Sequence, residues 1–494
     1  MAANTNNMSR NRVHFVRLTC VACVVTMLGG CARGLLGTAG PDYVPSTPAA
    51  AGAWQAPPPE PDPKPHAGSP RRLADWWAQF NDGALDTLIA AAQTNGATLA
   101  QAAATIERSR ADAIAAGIAG LPNLDAIASA NRAAFTFGGP VAYRTQVQIG
   151  VQSSWEIDLF GSLARQRESV RATLEANVAL WHDARVSLAA EVANAYLNFR
   201  HCEIQVAQAE ADARSRADTA RLTEAAGRAG LQSRAAVALA NAASAEAAGA
   251  FSQRRAQCDI SVKGLVALTA MEESALRTLL ANAGAARLPQ PAQFEIGSIP
   301  ALVVAQRPDV AAAERKLAAA SADIGHAEAD RYPRLTLTGS ITPTRISIGS
   351  GPALSLTTWS IGPSLVLPLF DGGRRGANVD AFRAQYEAAA SAYRAKVRDA
   401  VREVEEALVR LTSTAGRESD AAAAARGYRT NLEAAQAMLK AGLGSVLEVE
   451  QARRLSLAAD AAMATLAQER LAAWIALYRA AGGGWDSAAP LANR

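Results

Sequence analysis

The chain has 494 residues, of which half are apolar but only 5% are aromatic, and its formal net charge is +4. Alanine and arginine are abundant, a composition that favours long helices packed through small side chains over a bulky globular core. Residues 1–30 contain three arginines and no acids, so the rest of the chain has 46 basic and 45 acidic side chains. Such a nearly neutral chain gives no electrostatic reason to expect a nucleic-acid partner.

Residues 1–30 are typical of a secretory signal peptide, because a basic region is followed by an apolar run at 18–28 and by small residues. The apolar run is short for a stable transmembrane anchor, which is the alternative. The sequence LGGC at 28–31 resembles the lipobox of bacterial lipoproteins, which implies a covalent lipid on Cys31 and tethering to a membrane leaflet. Ala32 follows where an Asp would imply retention at the inner membrane, so the outer membrane is expected.

Residues 31–70 are rich in proline and lack apolar periodicity, which predicts a lipid-anchored tether or surface wrap. A helical pattern then runs from about Gly83 to Gly120.

The remainder of the chain is predicted to be a duplication. Three short segments recur at offsets of 211, 210 and 212 residues, so the first repeat is placed at 71–288, the second at 289–485 and a C-terminal tail at 486–494. The matching pairs are GLPNL (120–124) with DRYPRL (330–335), DLFGSLARQR (158–167) with PLFDGGRRGA (368–377), and RAGLQS (228–233) with KAGLGS (440–445).

Each repeat contains two segments in which apolar and polar residues alternate, a pattern that indicates β-strands. The clearest, 147–158, places Val147, Ile149 and Val151 on one face and glutamines on the other. About ten tilted residues suit a strand of a transmembrane barrel, but four strands cannot close a barrel, so we expect several copies to pool their strands. The predicted strands are about 124–136, 145–158, 334–347 and 354–369.

A long helix is predicted after each pair of strands, at 160–226 and 374–440. At 1.5 Å per residue each would be roughly 100 Å long, so the helices must pack against one another. Glycines then interrupt the helical pattern at the predicted tips, 227–235 and 440–448. Gly230 and Gly442 are expected to adopt positive φ and let the chain reverse.

The order and spacing of these marks resemble the TolC-like outer-membrane factor family, in particular its lipoprotein drug-efflux branch. The segments that carry the resemblance are LGGC with PDY (41–43), DWWAQFND (75–82), WEIDLFG (155–161), PLFDGGRR (368–375), AGLGSVLEV (441–449) and ALYRAAGGGW (476–485).

The resemblance implies a mainly α fold with a membrane β-barrel. Three identical chains, with four strands each, would form a 12-stranded barrel on a long periplasmic α-helical barrel with an equatorial domain. The protein would be lipid-anchored in the outer membrane with most of the chain in the periplasm. Its partners would be outer-membrane lipid, a periplasmic membrane-fusion adaptor and an inner-membrane transporter. No enzymatic activity is expected, and no cofactor other than the lipid on Cys31.

The function expected from the resemblance is the outer-membrane channel of a tripartite, RND-type efflux pump that exports drugs or other small toxic compounds. One alternative is the outer-membrane duct of a type I protein secretion system. Another, from a different class, is a lipid-anchored trimeric coiled-coil structural protein, but such a stalk needs neither the strands nor the duplication. DGGRRG (371–376) lacks the phosphate-loop pattern and is interpreted as a turn.

Family members close the periplasmic end of the channel at the helix tips, where they also contact the adaptor. The resemblance places Glu448 at a gate acid and Gln451 where a second acid is usual, so closure is expected to depend more on Leu447. The alternative for Glu448 is a solvated helix-face charge, and Glu450 is expected to face outward. The expected tip contacts are Gly230, Leu231, Ser233, Gly442, Leu443, Gly444 and Ser445.

Two further pairs of residues each have two possible roles. Trp155 and Trp359 are expected near strand ends, either as a membrane-interface girdle or as ordinary packing at the barrel base. Cys202 and Cys258 each lie 28 residues from Gly230, at the same height of paired helices. A disulfide would form only at favourable helix phases, so two small packing residues are the favoured interpretation.

Overall fold

A computed structural model describes residues 36–45, 54–56, 76–136, 138–284, 287–289 and 300–485. The predicted signal peptide, Cys31, most of the tether and the C-terminal tail therefore lie outside the described residues. The elements are a 3₁₀ helix Trp76–Phe80, α1 Gly83–Asn95, α2 Ala97–Ile118, β1 Asn123–Phe135, β2 Ala142–Ile157, α3 Ser162–Arg228, α4 Arg234–Thr269, α5 Glu273–Asn282, α6 Pro300–Ala305, α7 Pro308–Ala329, β3 Arg334–Ile348, β4 Leu354–Val366, α8 Arg374–Lys440 and α9 Val446–Ala480.

The expected fold class is confirmed: the chain is mostly helical, with one four-stranded antiparallel sheet in the order β1-β2-β3-β4. Each repeat contributes two strands and a helix of 67 residues, α3 in the first and α8 in the second. Among the described residues, no helix is both long enough and apolar enough to cross a membrane.

Two compact units make up the structure, and they do not follow the sequence repeats. The first contains the sheet with the helix segments next to it, within 105–177 and 313–393. The second contains the described residues of 47–104, 178–312 and 394–494, which include both helix tips. Each unit therefore takes parts from both repeats.

The core of the second unit is built around an aromatic cluster. Trp76 stacks on Tyr478 with ring centroids 4.9 Å apart, and Trp77 Nε1 donates a hydrogen bond of 3.2 Å to the Tyr478 hydroxyl. Burial raises the pKa of Tyr478 to about 12. Nearby, the hydroxyl of Tyr196 donates to Asp82, whose other carboxylate oxygen caps the start of α1. The few aromatic residues of this alanine-rich chain are thus concentrated where bulky core packing is needed.

A buried ion cluster joins the start of α7 to the middle of α8 in the same unit. Arg307 makes two hydrogen bonds to Asp309, of 3.0 and 2.8 Å, and a third of 3.1 Å to the carbonyl of Ala480. Its Nη2 also lies 2.8 Å from a carboxylate oxygen of Glu403. Burial alone would raise the pKa of Asp309, but the hydrogen bonds and charge of Arg307 hold it below its usual value. The guanidinium therefore supplies a positive charge that compensates the buried carboxylate of Asp309, and it also pairs with the partly buried Glu403.

Part of the predicted tether belongs to the first unit. The buried guanidinium of Arg165 donates to the carbonyls of Ala39 and Gly40 and to the carboxylate of Asp42. A Cβ on Gly40 would lie only 2.4 Å from the Cα of Gly325, so only a glycine allows this close approach. Residues 36–45 are therefore packed into the fold by specific contacts, and they are not a loose tether.

A second stretch of the N-terminal segment packs against α8 in the second unit. The backbone N–H groups of Gln55 and Ala56 donate to the two carboxylate oxygens of Glu405, at 2.7 Å each. Ala56 is buried in the core of that unit.

Cys202 and Cys258 form a disulfide, with their Cα atoms 5.6 Å apart. The favoured interpretation, two separate packing residues, is therefore wrong. Equal distance from Gly230 indicated the height of each cysteine but not its rotation about the helix axis. In the folded chain α3 and α4 each turn their cysteine toward the other helix.

Candidate functional site

One face of the sheet is apolar and exposed. In β2, Ile149 is 65% exposed, and Val147 and Val151 on the same face are also exposed. Val151 pairs with Ile341 of β3, which pairs in turn with Trp359 of β4, itself 73% exposed. The strand register therefore builds an apolar row across three strands that the described chain leaves uncovered.

The opposite face of the sheet is polar over most of its length. In its central row Gln152 pairs with Ser340, and Ser340 with Ser360, whose hydroxyl oxygens lie 3.0 Å apart. The amide of Gln146 donates to Gln148 on the same face, at 3.1 Å. The polar side chains of this face include Gln146, Gln148, Gln152, Thr336, Thr338, Ser340, Ser360 and Ser364, whereas the cross-strand pair Ile346 and Leu354 lies on the same face near the end of the sheet. Neighbouring residues of each strand thus face opposite chemical environments.

The sheet has two open edges. β1 pairs only with β2, and β4 pairs only with β3, among the strands that the structure describes. The outer backbone groups of β1 and β4 therefore have no strand partner within the described chain. Such edges are free to pair with strands of another chain.

The two tryptophans occupy different levels of the sheet. Trp155 lies near the end of β2, half-buried, and its Nε1 donates to the carbonyl of Gly120 at 2.9 Å. Trp155 is level with Leu337 and hence with Pro363, four residues from Trp359, or about 13 Å along the strand. Trp359 therefore lies in the middle of β4 and not near its end as expected. The strand begins five residues before it because the Ser/Thr-containing stretch 354–358 continues the pairing with β3.

The tip between α3 and α4 closes with a glycine-centred turn. Gly230 has φ +77°, Leu231 N–H donates to Ala226 O at 2.8 Å, and Gly230 N–H donates to Gly227 O at 3.1 Å. This pair of bonds is the Schellman motif, which ends a helix at a left-handed residue. Ser233 then caps α4 by accepting a hydrogen bond from the backbone of Ala236.

The tip between α8 and α9 repeats that turn. Gly442 has φ +74°, Leu443 N–H donates to Met438 O at 2.9 Å, and Gly442 N–H donates to Leu439 O at 3.0 Å. Gly444 lies against the last turn of α8, where a Cβ would be 3.1 Å from Met438 Cβ. The expectation of positive φ at both reversal glycines is confirmed by this geometry.

Glu448 has a local partner at the second tip. The hydroxyl of Ser445 accepts a hydrogen bond from Glu448 N–H, and the Glu448 carboxylate accepts one of 2.7 Å from Ser445 N–H. This reciprocal arrangement is a capping box. The sequence signature of this box, a Ser followed three residues later by a Glu in SVLE (445–448), could have predicted it. In the first tip the equivalent position is Ala236, so only the second tip is capped in this way.

The apolar side chains at both tips are exposed. Leu443 is 80% exposed, and Leu231 and Leu447 are similarly uncovered. Gln451 is exposed one turn further along α9. The described chain thus leaves a small apolar surface at the end of each helix pair.

Glu450 does not face outward as expected. Its Oε1 accepts hydrogen bonds from Ser215 Oγ at 3.2 Å and Thr219 Oγ1 at 3.0 Å, and it pairs with Arg453. Only 13% of its side chain is exposed. The expectation was wrong because α9 presents this position to the hydroxyl-bearing face of α3, and those hydroxyls stabilise a partly buried carboxylate.

Comparisons with known proteins were consistent with one another. A family model described as outer membrane efflux protein matches residues 88–271 and 299–483. Nodulation protein T of Rhizobium leguminosarum bv. viciae is 30% identical over 418 residues, 84% of this chain and 85% of that protein. Outer membrane protein OprJ of Pseudomonas aeruginosa is 30% identical over 424 residues, 83% of this chain and 86% of that protein. The solved structure of the outer-membrane channel OprN has a TM-score of 0.77 and 28% identity, covering 90% of this chain and 99% of that one.

Proposed function

Because the chain belongs to the outer membrane efflux protein family, we propose that it is the channel of a tripartite, RND-type efflux pump and exports drugs or other small toxic compounds. The protein is located in the outer membrane, with a large periplasmic portion. In this proposal it is a passive conduit that catalyses no reaction. It requires no cofactor, and its only covalent addition is a lipid on Cys31.

The observation that carries the proposal is the two-faced sheet with open edges. An apolar face centred on Ile149 and Trp359 suits the lipid tails, and the Gln/Ser/Thr face suits a water-filled lumen. Unpaired edges of β1 and β4 would be costly in lipid, because no water is present there to bind the free N–H and C=O groups. In a homotrimer, β4 of each chain pairs with β1 of the next, and twelve strands close without an edge.

The tips of the helix pairs are the proposed periplasmic aperture and adaptor contact. Leu231 and Leu443 offer exposed apolar side chains beside backbone turns that positive-φ glycines hold in shape. Three copies would bring three pairs of tips together around the channel axis. A membrane-fusion adaptor that binds these tips would link the channel to the inner-membrane transporter, which supplies the energy.

The proposed gate consists of Leu447, Glu448 and Gln451 on the first turns of α9. The capping box gives Glu448 a structural task, so the closing contact is assigned mainly to Leu447, which is exposed beside it. Glu448 then contributes its negative charge to the aperture as a secondary effect.

Planar-bilayer conductance of the purified full-length protein tests the conduit. The intact protein is expected to conduct weakly, and Leu447→Ala is expected to raise the conductance because the apolar closure is removed. If neither the intact protein nor the Leu447→Ala/Glu448→Ala variant conducts, the channel proposal fails. Deleting the gene should then raise drug sensitivity without abolishing export of a secreted protein, whereas the reverse phenotype would identify a secretion duct.

A further inference from the structure

The two helix pairs that carry the tips are joined differently at the same level. We name residues 200–260 hairpin one and residues 412–472 hairpin two, so that each contains the ends of two helices and the turn between them. The disulfide of hairpin one lies 28 residues from Gly230 on either side. In hairpin two the residues at this distance from Gly442 are Thr414 and Arg470. A covalent cross-link therefore joins the two helices of hairpin one but not those of hairpin two.

Hairpin two has ion pairs where hairpin one has the disulfide. Arg417 Nη2 lies 2.5 Å from Glu469 Oε2, and the neighbouring Glu418 pairs with Arg470 in the opposite sense. Nearer the tip, Arg429 pairs with Asp460 at 3.1 Å. The side chains of Arg417 and Glu469 are about half exposed. Exposed pairs of this kind are weakened by salt, because mobile ions screen their attraction.

The sulfur atoms of hairpin one are covered in the folded chain. Cys202 is 5% exposed and Cys258 is 9% exposed, and the Cys202 sulfur lies 3.7 Å from the carbonyl of Arg254. Thiol–disulfide exchange requires an approaching sulfur to reach one of these atoms. Access is therefore available while the two helices are still apart, and it is closed once they have packed.

We propose that the disulfide Cys202–Cys258, an oxidative modification of the folding chain, is a staple that fixes the register of α3 against α4, whereas hairpin two is held at the same level by salt-sensitive ion pairs. The modification requires an oxidant of the disulfide-carrying protein class, which is present outside the cytoplasm. The inference does not depend on channel activity, since it concerns only how each helix pair is joined.

The chemistry is a two-electron thiol–disulfide exchange. One cysteine thiolate attacks the disulfide of the oxidant, which forms a mixed disulfide and releases one oxidant thiolate. The second cysteine thiolate then attacks the mixed disulfide, forming the Cys202–Cys258 bond and releasing the second oxidant sulfur. The chain loses two electrons and two protons in total, and the oxidant leaves as a dithiol.

Peptide mapping of the full-length protein tests the modification directly. The protein is isolated from the membrane, alkylated without reductant and digested with trypsin. Cleavage after Arg200, Arg214, Arg255 and Lys263 places the cysteines in peptides 201–214 and 256–263. We expect these two peptides to be found joined, and to separate on reduction. Recovery of both peptides alkylated from the unreduced protein would overturn the proposal.

Hydrogen exchange tests the mechanical role. In the variant Cys202→Ala/Cys258→Ala, amide exchange in hairpin one is expected to be about tenfold faster than in the intact protein, because the cross-link no longer restricts separation of the helices. Exchange in hairpin two is expected to be unchanged. Equal exchange of hairpin one in both proteins would overturn the staple.

Salt provides the matched control. Raising NaCl from about 0.05 to 0.5 M should speed exchange in hairpin two about threefold and leave hairpin one unaffected. Arg470→Gln should raise exchange in hairpin two at low salt and reduce its response to salt. Hairpin one has a long ion pair of its own nearer the tip, Arg216 with Glu246 at 4.0 Å, but at the level of the disulfide the ion pairs belong to hairpin two. An equal salt response of both hairpins would contradict this assignment.

A third arm applies when the double variant does not accumulate. The intact protein is reduced with a phosphine in mild urea, alkylated, returned to buffer and compared with a sample carried through urea without phosphine. Faster exchange confined to hairpin one supports the staple. Identical exchange in the two samples overturns it.

Discussion

Glu448 and Ser445 cap each other: the carboxylate of the first accepts a hydrogen bond from the backbone of the second, whose hydroxyl accepts one from the backbone of the first. The equivalent position in the first repeat is Ala236, so the duplicated turns differ in how firmly the following helix begins. This difference separates two possible tasks of Glu448, one that depends on its charge and one that depends on its acceptor oxygen.

Substitution of Glu448 by glutamine and by alanine distinguishes these tasks. Glutamine keeps an acceptor for Ser445 N–H, so Glu448→Gln should preserve the start of α9, whereas Glu448→Ala should destabilise it by about 0.5–1 kcal/mol. Hydrogen exchange of residues 446–452 measures this. If Glu448 also charges the aperture, both variants should reduce the cation selectivity of the conductance. Loss of helix protection in Glu448→Gln would contradict the capping role, and Ala236→Glu is the converse test, expected to slow exchange at the start of α4.

The reversal glycines should resist substitution for a purely conformational reason. A Cβ on Gly442 would meet nothing within 4 Å, but φ is +74° there, so Gly442→Ala should cost about 1 kcal/mol. Gly427 in the middle of α8 also has open space, but it lacks a positive φ. Gly427→Ala should therefore stabilise the helix by roughly 0.5–1 kcal/mol. Opposite shifts of the thermal midpoint are expected, and shifts of the same sign would contradict the left-handed turn.

The buried ion cluster should be sensitive to the loss of its cation. Arg307→Ala leaves the carboxylates of Asp309 and Glu403 without their shared partner, so the free energy of unfolding should fall by about 3–5 kcal/mol. Arg402→Ala removes an arginine from an exposed pair on α8 and should change stability by at most about 0.5 kcal/mol. Chemical denaturation of the detergent-solubilised protein gives both values, and similar losses in the two variants would refute a special role for Arg307.

Adjacent positions of β4 provide a test of the two-faced sheet. Ile361 lies on the apolar face and Ser360 on the polar face. Ile361→Arg should hinder membrane insertion, at a cost of about 2–4 kcal/mol near the bilayer midplane. Ser360→Arg should insert normally and shift the conductance toward anions. Fractionation of the outer membrane and bilayer recording measure the two effects, and equal insertion of both variants would show that Ile361 does not face lipid.

The parts of the fold that could be predicted are those set by local properties of the sequence. Alternation along a strand, the absence of proline along α3 and α8, and the need for positive φ at Gly230 and Gly442 are properties that a single chain displays directly. Contacts between helices depend in addition on rotation about each helix axis, which sequence spacing does not fix. For that reason the Cys202–Cys258 bond and the inward position of Glu450 were both predicted wrongly.

At the second tip, one residue matches two sequence patterns with different structural meanings. Glu448 matches the gate acid of the resembled family, and together with Ser445 it also matches the signature of a capping box. One side chain can satisfy two patterns, and only the hydrogen bonds show the local one. The packing of residues 36–45 was similarly hidden, because glycines that allow close backbone approach resemble those of a loose linker.

Glu405 binds the N-terminal segment through backbone groups and not through side chains. It holds the backbone N–H groups of Gln55 and Ala56, and the next three residues are prolines, which have none to offer. The segment can therefore attach to Glu405 only at residues other than proline, since these alone have a backbone N–H to donate. Substitution of the exposed Gln55 should matter little as long as its backbone N–H remains, whereas a proline at 55 or 56 should release the segment from α8. Attachment at this point thus requires two neighbouring residues with a backbone N–H and, at position 56, a side chain small enough to be buried.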